Sequence, residues 1–82
     1  MTSDQQMAFT IGGKKILLSR KAVEAALKNV PPDPIKKYSV HIGNQDYPIK
    51  QVLSVASGVS IAAFVSTDAY RILTHLGFGV KE

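Results

Sequence analysis

Three prolines lie close together near the middle of the chain, at Pro31, Pro32 and Pro34. Proline has no amide hydrogen and its ring clashes with the preceding helical turn, so this segment cannot continue a helix. The residue before each proline is also biased towards an extended backbone. The sequence therefore predicts an extended connection here, with a helix before it and a strand after it.

The helix before the prolines is predicted over residues 20–29. Ser19 precedes it and carries a hydroxyl that can cap the free amides of the first turn. Apolar residues recur at helical spacing, so we expect one stripe of this helix to face the core. That stripe consists of Ala22, Val23, Ala26, Leu27 and Val30.

The segment after the prolines alternates between apolar and polar residues, a pattern typical of a half-buried strand. Gly43 and Asn44 then supply a tight turn, and the chain returns as a short second strand over residues 45–47. The apolar positions of the first strand are Tyr38, Val40 and Ile42.

A second helix is predicted to follow this hairpin. Pro48 fits its first turn, where a missing amide hydrogen costs nothing. Gly58 is expected to end the helix in the left-handed conformation. Farther on, Phe64 is an isolated bulky residue that we expect to fill the core. The apolar stripe of the helix consists of Ile49, Val52, Leu53 and Ala56.

The third helix is predicted to begin at Ser66 or Thr67, either of which can act as its cap, with Asp68 near the positive end of the helix dipole. Gly77 is expected to end it, and residues 78–80 to form a last strand that joins the hairpin. The buried face consists of Ala69, Ile72, Leu73 and Leu76.

An additional N-terminal hairpin is predicted from residues 9–11 and 15–18, because the adjacent Gly12 and Gly13 can adopt the positive φ values of a two-residue turn. The predicted fold is α+β, with about three helices packed on one face of a small antiparallel sheet. Residues 1–7 are predicted to be a disordered N-terminal tail and residues 8–82 a single α+β domain.

The residue types that catalysis or metal binding requires are missing or scattered. The chain has no cysteine, which excludes disulfides, thiolate metal sites and cysteine nucleophiles. The six acidic residues do not pair on a helix face, and His41 and His75 have no ligand partners nearby. We therefore expect no enzyme activity, metal or cofactor. With neither a signal-like N-terminus nor a membrane-length apolar run, we expect a cytoplasmic protein without membrane association.

The charge balance is basic, with ten Lys and Arg against six Asp and Glu and a formal net charge of +4. Such an excess attracts nucleic acid, anionic membranes or acidic proteins, and charge alone does not discriminate among them. A helix N-terminus adds oriented amides that suit a phosphate. If the basic residues near the second helix cluster on one face, they are candidate nucleic-acid contacts; alternatively they are solvated charges that keep a small domain soluble. The candidates are Lys36, Lys37, Lys50 and Arg71.

A longer series of residues, between Val23 and Val80, resembles the sequence pattern of a known family of prokaryotic proteins. Its most distinctive pieces are Tyr47-Pro48-x-Lys50 and Leu76-Gly77-Phe78. The remaining positions are Val23, Ala26, Leu27, Tyr38, Val40, Gly43, Val52, Leu53, Ala56, Gly58, Phe64, Thr67, Ala69, Arg71, Leu73 and Val80.

This series resembles the small N-terminal head module that precedes the nuclease domain in McrA-type, modification-dependent HNH restriction endonucleases and in related prokaryotic proteins. The resemblance implies a DNA-associated accessory module, with Lys50 and Arg71 as candidate contacts. It does not imply cleavage, because the chain has no HNH signature. The glycine-rich turn that such modules often have after their phenylalanine is replaced here by Val65, Ser66 and Thr67.

The function we expect is that of a non-enzymatic binding module that associates with DNA or RNA through phosphate contacts, weakly and in a salt-sensitive manner. The alternative is a docking or self-association domain that binds a larger protein or a second copy, without nucleic acid. An open sheet face or an exposed edge strand would provide that surface. The sequence carries no indication of the oligomeric state.

Overall fold

The computed structural model describes residues 6–82. Within these residues, three α-helices and five short strands follow one another. In order they are β1 (Met7–Ile11), β2 (Lys14–Leu18), α1 (Arg20–Ala26), β3 (Ser39–Ile42), β4 (Gln45–Pro48), α2 (Ile49–Ser57), a 3₁₀ turn (Ile61–Ala63), α3 (Ser66–His75) and β5 (Val80–Lys81).

The N-terminal hairpin is present as predicted and forms a sheet of its own. β1 and β2 pair antiparallel, with Phe9 opposite Ile16 and Ile11 opposite Lys14. The turn residues Gly12 and Gly13 have φ values of 58° and 80°, which suit the right-handed twist of a two-residue hairpin. Since β1 begins at Met7, the strand starts one residue inside the segment predicted to be a tail; residues 1–5 of that segment lie outside the described residues.

The first helix begins where the sequence predicts, but it is shorter. The Ser19 hydroxyl accepts a hydrogen bond from the amide of Ala22 at 3.1 Å, which confirms the cap. The helix ends at Ala26 rather than at residue 29, because residues 27–29 form a turn in which Asn29 has a φ of 67°, and a left-handed residue cannot continue a right-handed helix. Leu27 remains buried beyond the helix end, whereas Ala22 is exposed and was wrongly assigned to the buried stripe.

The central sheet has the strand order β4-β3-β5 and is antiparallel throughout. Val40 lies opposite Tyr47 on β4 and opposite Val80 on β5, and this face of the sheet packs into the core. The opposite face exposes His41 and Asp46. The predicted half-buried hairpin is therefore confirmed, and β5 joins it beside β3.

The second helix begins at Ile49, so Pro48 is its N-cap and not a residue of the first turn. Gly58 ends the helix with a φ of 76°, as predicted. The start of the third helix differs from the prediction. Neither Ser66 nor Thr67 is its cap; Val65 occupies that position. Val65 has no polar side chain, but its amide donates to the Asp68 carboxylate at 3.3 Å, so Asp68 takes over the capping.

All three helices and both sheets contribute to a single core. The α+β class and the three helices are confirmed, but the strands form two small sheets rather than one. Phe64 is buried, as expected. The buried apolar side chains are Ile11, Leu18, Val23, Leu27, Val40, Ile42, Tyr47, Ile49, Val52, Leu53, Val59, Phe64, Ala69, Ile72, Leu73, Leu76 and Phe78.

Candidate functional site

The proline segment that leads to the first candidate residues is held in place by two buried side chains. The Gln51 amide donates to the carbonyl of Pro31 at 3.0 Å and its carbonyl accepts from the amide of Asp33 at 2.8 Å. The Tyr47 hydroxyl lies 2.7 Å from the carbonyl of Val30, to which it donates. Because buried hydrogen bonds of this kind fix the backbone, the segment enters β3 along a defined path.

Two tyrosines meet where β3 begins. The rings of Tyr38 and Tyr70 pack edge to face, with centroids 5.2 Å apart and an interplanar angle of 73°. The ammonium of Lys37 lies 5.2 Å from the Tyr38 ring centre, within range of a cation–π interaction. Tyr70 remains 43% exposed. A cation and an accessible aromatic pair therefore lie side by side at this end of the central sheet.

The start of α2 joins the same region. The backbone amide of Ile49 donates to the carbonyl of Tyr38 at 3.4 Å. The first turn of α2 therefore lies next to Tyr38, one of the two paired tyrosines. Lys50 stands in that turn, with its ammonium 5.7 Å from the ring centre of Phe64. No side chain caps α2. Within residues 6–82, no carboxylate lies within ion-pair distance of Lys50.

Two other cations near the tyrosine pair, Arg71 and Lys37, form ion pairs with carboxylates. Arg71 follows Tyr70 in α3, and its guanidinium lies 3.5 Å from the carboxylate of Asp68. The Lys37 ammonium lies 3.9 Å from the carboxylate of Glu82. The Lys37–Glu82 pair is exposed, whereas Asp68 is partly buried and its carboxylate also accepts from the amide of Val65. Ion pairs near the surface contribute about 1 kcal/mol or less, so a phosphate can compete with either carboxylate for its cation.

The structure thus places three of the four predicted basic residues on elements that meet at the tyrosine pair. Lys36 is the fourth; it lies in the exposed bend one residue before Lys37, and its side chain forms no ion pair among the described residues. Sequence reasoning missed the tyrosine pair, because residues 38 and 70 are remote in sequence and each fits an apolar stripe or the edge of one. We call this region the basic–aromatic surface: Lys36, Lys37, Tyr38, Lys50, Tyr70 and Arg71.

Arg20 shows the contrasting case of a cation whose role is structural. Its guanidinium donates to the carbonyl of Gly77 at 3.0 Å and lies 5.0 Å from the ring centre of Phe78. It also lies 3.6 Å from the carboxylate of Glu24. These contacts tie the start of α1 to the end of α3, so Arg20 is occupied in holding the fold together.

Other polar features lie apart from the basic–aromatic surface. A surface cleft of about 490 Å³ separates the end of α1 from the β3–β4 turn, and Glu24, Lys28 and Gln45 are among its lining residues. On the exposed sheet face, Nδ1 of His41 lies 2.9 Å from the carboxylate of Asp46. No group of three or more His, Cys, Asp or Glu within the described part of the chain could hold a metal ion.

None of the helices within residues 6–82 combines the length and the apolar character needed to cross a bilayer. No curated protein and no solved structure is significantly similar to the chain. A family model, by contrast, matches residues 7–82, which is nearly the whole sequence. On that match, the chain belongs to the SCO5918-like family.

Proposed function

We propose that this chain is a non-enzymatic binding module that associates with nucleic acid through phosphate contacts. The observation that carries the proposal is the basic–aromatic surface, in which Lys37 packs on Tyr38, Tyr38 packs on Tyr70, and Arg71 and Lys50 stand on the adjoining helices. Proteins that bind single-stranded nucleic acid use cations beside accessible aromatic rings: the cations contact the phosphates and the bases stack on the rings.

Each residue has a distinct part in this proposal. Lys50 is the strongest phosphate contact, because it has no carboxylate partner within residues 6–82 and stands at a helix start that no side chain caps. Lys37 and Arg71 exchange Glu82 and Asp68 for phosphates. Tyr70, the more exposed of the two rings, offers its face to a base.

Binding through so few cations is weak and depends steeply on salt. Each phosphate contact contributes a slope of about −0.9 to the dependence of log K on log salt for duplex DNA. If all four basic residues engage, the affinity falls about 100-fold between 50 and 200 mM salt. The resemblance to restriction-associated head modules supports DNA as the nucleic acid, and a cytoplasmic location is part of the proposal.

The test is a fluorescence-anisotropy titration of labelled single-stranded and duplex DNA and RNA at several salt concentrations. Lys50→Ala should weaken binding several-fold. It should also make the slope of log K against log salt shallower by about 0.9, the contribution of one phosphate contact. Lys14→Ala is the matched control: it removes the same charge from the exposed end of the N-terminal hairpin and should change affinity much less. No binding to any of the four nucleic acids at low salt contradicts the proposal and leaves protein docking as the function.

A further inference from the structure

The outer edges of the two sheets differ in how well they are protected against pairing with another strand. Edge strands usually carry a charge or a proline, or are very short, because an unprotected edge accepts a further strand. Three of the four edges follow this rule. β2 carries Lys14 and Lys15, β4 carries Asp46 and Pro48, and β5 has two residues, one of them Lys81.

β1 is the exception among the edges that the structure describes. Its sequence is Met-Ala-Phe-Thr-Ile over Met7–Ile11, five residues without a charge or a proline. It pairs with β2 on one side only. Within residues 6–82, no backbone group of β1 bonds to a turn or loop on the other side. An uncharged edge of this length is a template for strand addition.

The register fixes which backbone groups are free on that edge. In a two-residue hairpin, the residues that close the turn exchange hydrogen bonds, and bonded and non-bonded pairs then alternate along the strands. Ile11 and Lys14 close this turn, so the Phe9–Ile16 pair is also bonded. The amide and carbonyl groups of Ala8 and Thr10 therefore point away from β2, towards the open edge.

We propose that β1 pairs antiparallel with β1 of a second copy of this chain, so that the two hairpins form a four-stranded sheet across a two-fold axis. The free groups of Ala8 and Thr10 lie symmetrically about Phe9, which is the arrangement that self-pairing requires. With Phe9 opposite Phe9 of the second copy, each Ala8 faces a Thr10 and exchanges two hydrogen bonds with it.

The side chains fit the same register. Phe9 is only partly buried and Met7 is exposed, so pairing brings two aromatic rings together across the axis and covers apolar area at each end. Because β1 carries no charge, like charges do not meet in the self-paired strands. Lys14 and Lys15 remain on β2, away from the new interface. The interface is small, so the dimer is weak and forms at high protein concentration.

Cysteine cross-linking tests the register directly, since the chain has no native cysteine. Ala8→Cys and Thr10→Cys change exposed residues on the outer face of the hairpin. Under mild oxidation, a mixture of the two variants should form disulfide-linked mixed dimers, whereas each variant alone should cross-link several-fold less. Equal cross-linking of the mixture and the single variants would overturn the register and the proposal.

Sedimentation equilibrium tests the dimer itself, from low micromolar to near-millimolar protein. Thr10→Pro removes an amide that makes no bond within the hairpin, so the monomer keeps its fold, as circular dichroism can verify. The dissociation constant should rise at least about tenfold, because one hydrogen bond is lost in each half of the interface. Thr10→Ala, which keeps the amide, should leave it nearly unchanged. A wild-type chain that stays monomeric throughout this range would refute the proposal.

Discussion

Removal of one oxygen atom from Tyr47 should destabilise the fold by far more than removal of the same atom from Tyr70. Tyr47 is buried, and its hydroxyl lies 2.7 Å from the carbonyl of Val30 and 3.2 Å from that of Leu27. The Leu27 carbonyl also accepts from the amide of Val30 at 3.0 Å. In Tyr47→Phe, therefore, the carbonyl of Val30 is the group that loses its partner.

The magnitude follows from that loss. An unsatisfied polar group costs about 1–3 kcal/mol when it is fully buried, and the Val30 carbonyl is only partly buried, so we expect a loss of about 1.5 kcal/mol. At an m-value of about 1 kcal/mol/M, that loss lowers the urea midpoint by about 1.5 M. Tyr70→Phe, in which the hydroxyl is on an exposed ring and bonds to no residue of the described chain, should change the free energy of unfolding by less than about 0.5 kcal/mol.

Urea denaturation followed by circular dichroism compares the two variants with wild type. Equal midpoints for Tyr47→Phe and Tyr70→Phe would refute the reasoning, since they would mean that the Tyr47 hydroxyl does not hold the end of α1 to the sheet. A changed m-value would instead indicate that a variant exposes a different amount of surface on unfolding. The midpoints would then have to be converted to free energies of unfolding before they are compared.

Two further substitutions test local features of the fold. Gly12→Ala should destabilise by about 1 kcal/mol more than Gly43→Ala: both have positive φ, but only the new Cβ at position 12 meets the Ala63 side chain, at 3.0 Å. Similar losses of melting temperature would contradict this contact. Ser19→Ala should lower the free energy of unfolding by about 1 kcal/mol, because the amide of Ala22 loses its cap; an unchanged urea midpoint would show that the cap contributes nothing.

The features that the sequence predicted best are those determined by neighbours in the chain. The Ser19 cap, the left-handed Gly58 and the hairpin turn at Gly12 depend on backbone conformation within a few residues, and all three are confirmed. Apolar periodicity likewise identified the buried faces of the helices. Periodicity failed at Ala22, which is exposed, and it placed the end of the first helix at residue 29 rather than at Ala26. The apolar stripe continues past the helix end because residues in a turn, such as Leu27, can be buried too.

The features that the sequence could not provide depend on contacts between distant segments. Gln51 bonds to backbone groups about twenty residues away, and nothing in its local pattern distinguishes it from a solvent-exposed glutamine. The same holds for the contact of Tyr38 with Tyr70. The division of the strands into two sheets also depends on distant pairing, since alternation indicates a strand but not its neighbours.

The most direct test of nucleic-acid binding is an NMR titration of the ¹⁵N-labelled chain with a short single-stranded oligonucleotide at low salt. The proposal predicts the largest amide shift changes at residues 36–38, 49–51 and 70–71, together with their reversal when salt is raised. Changes confined to the cleft beside Glu24 and Gln45, or no changes at all, would contradict it.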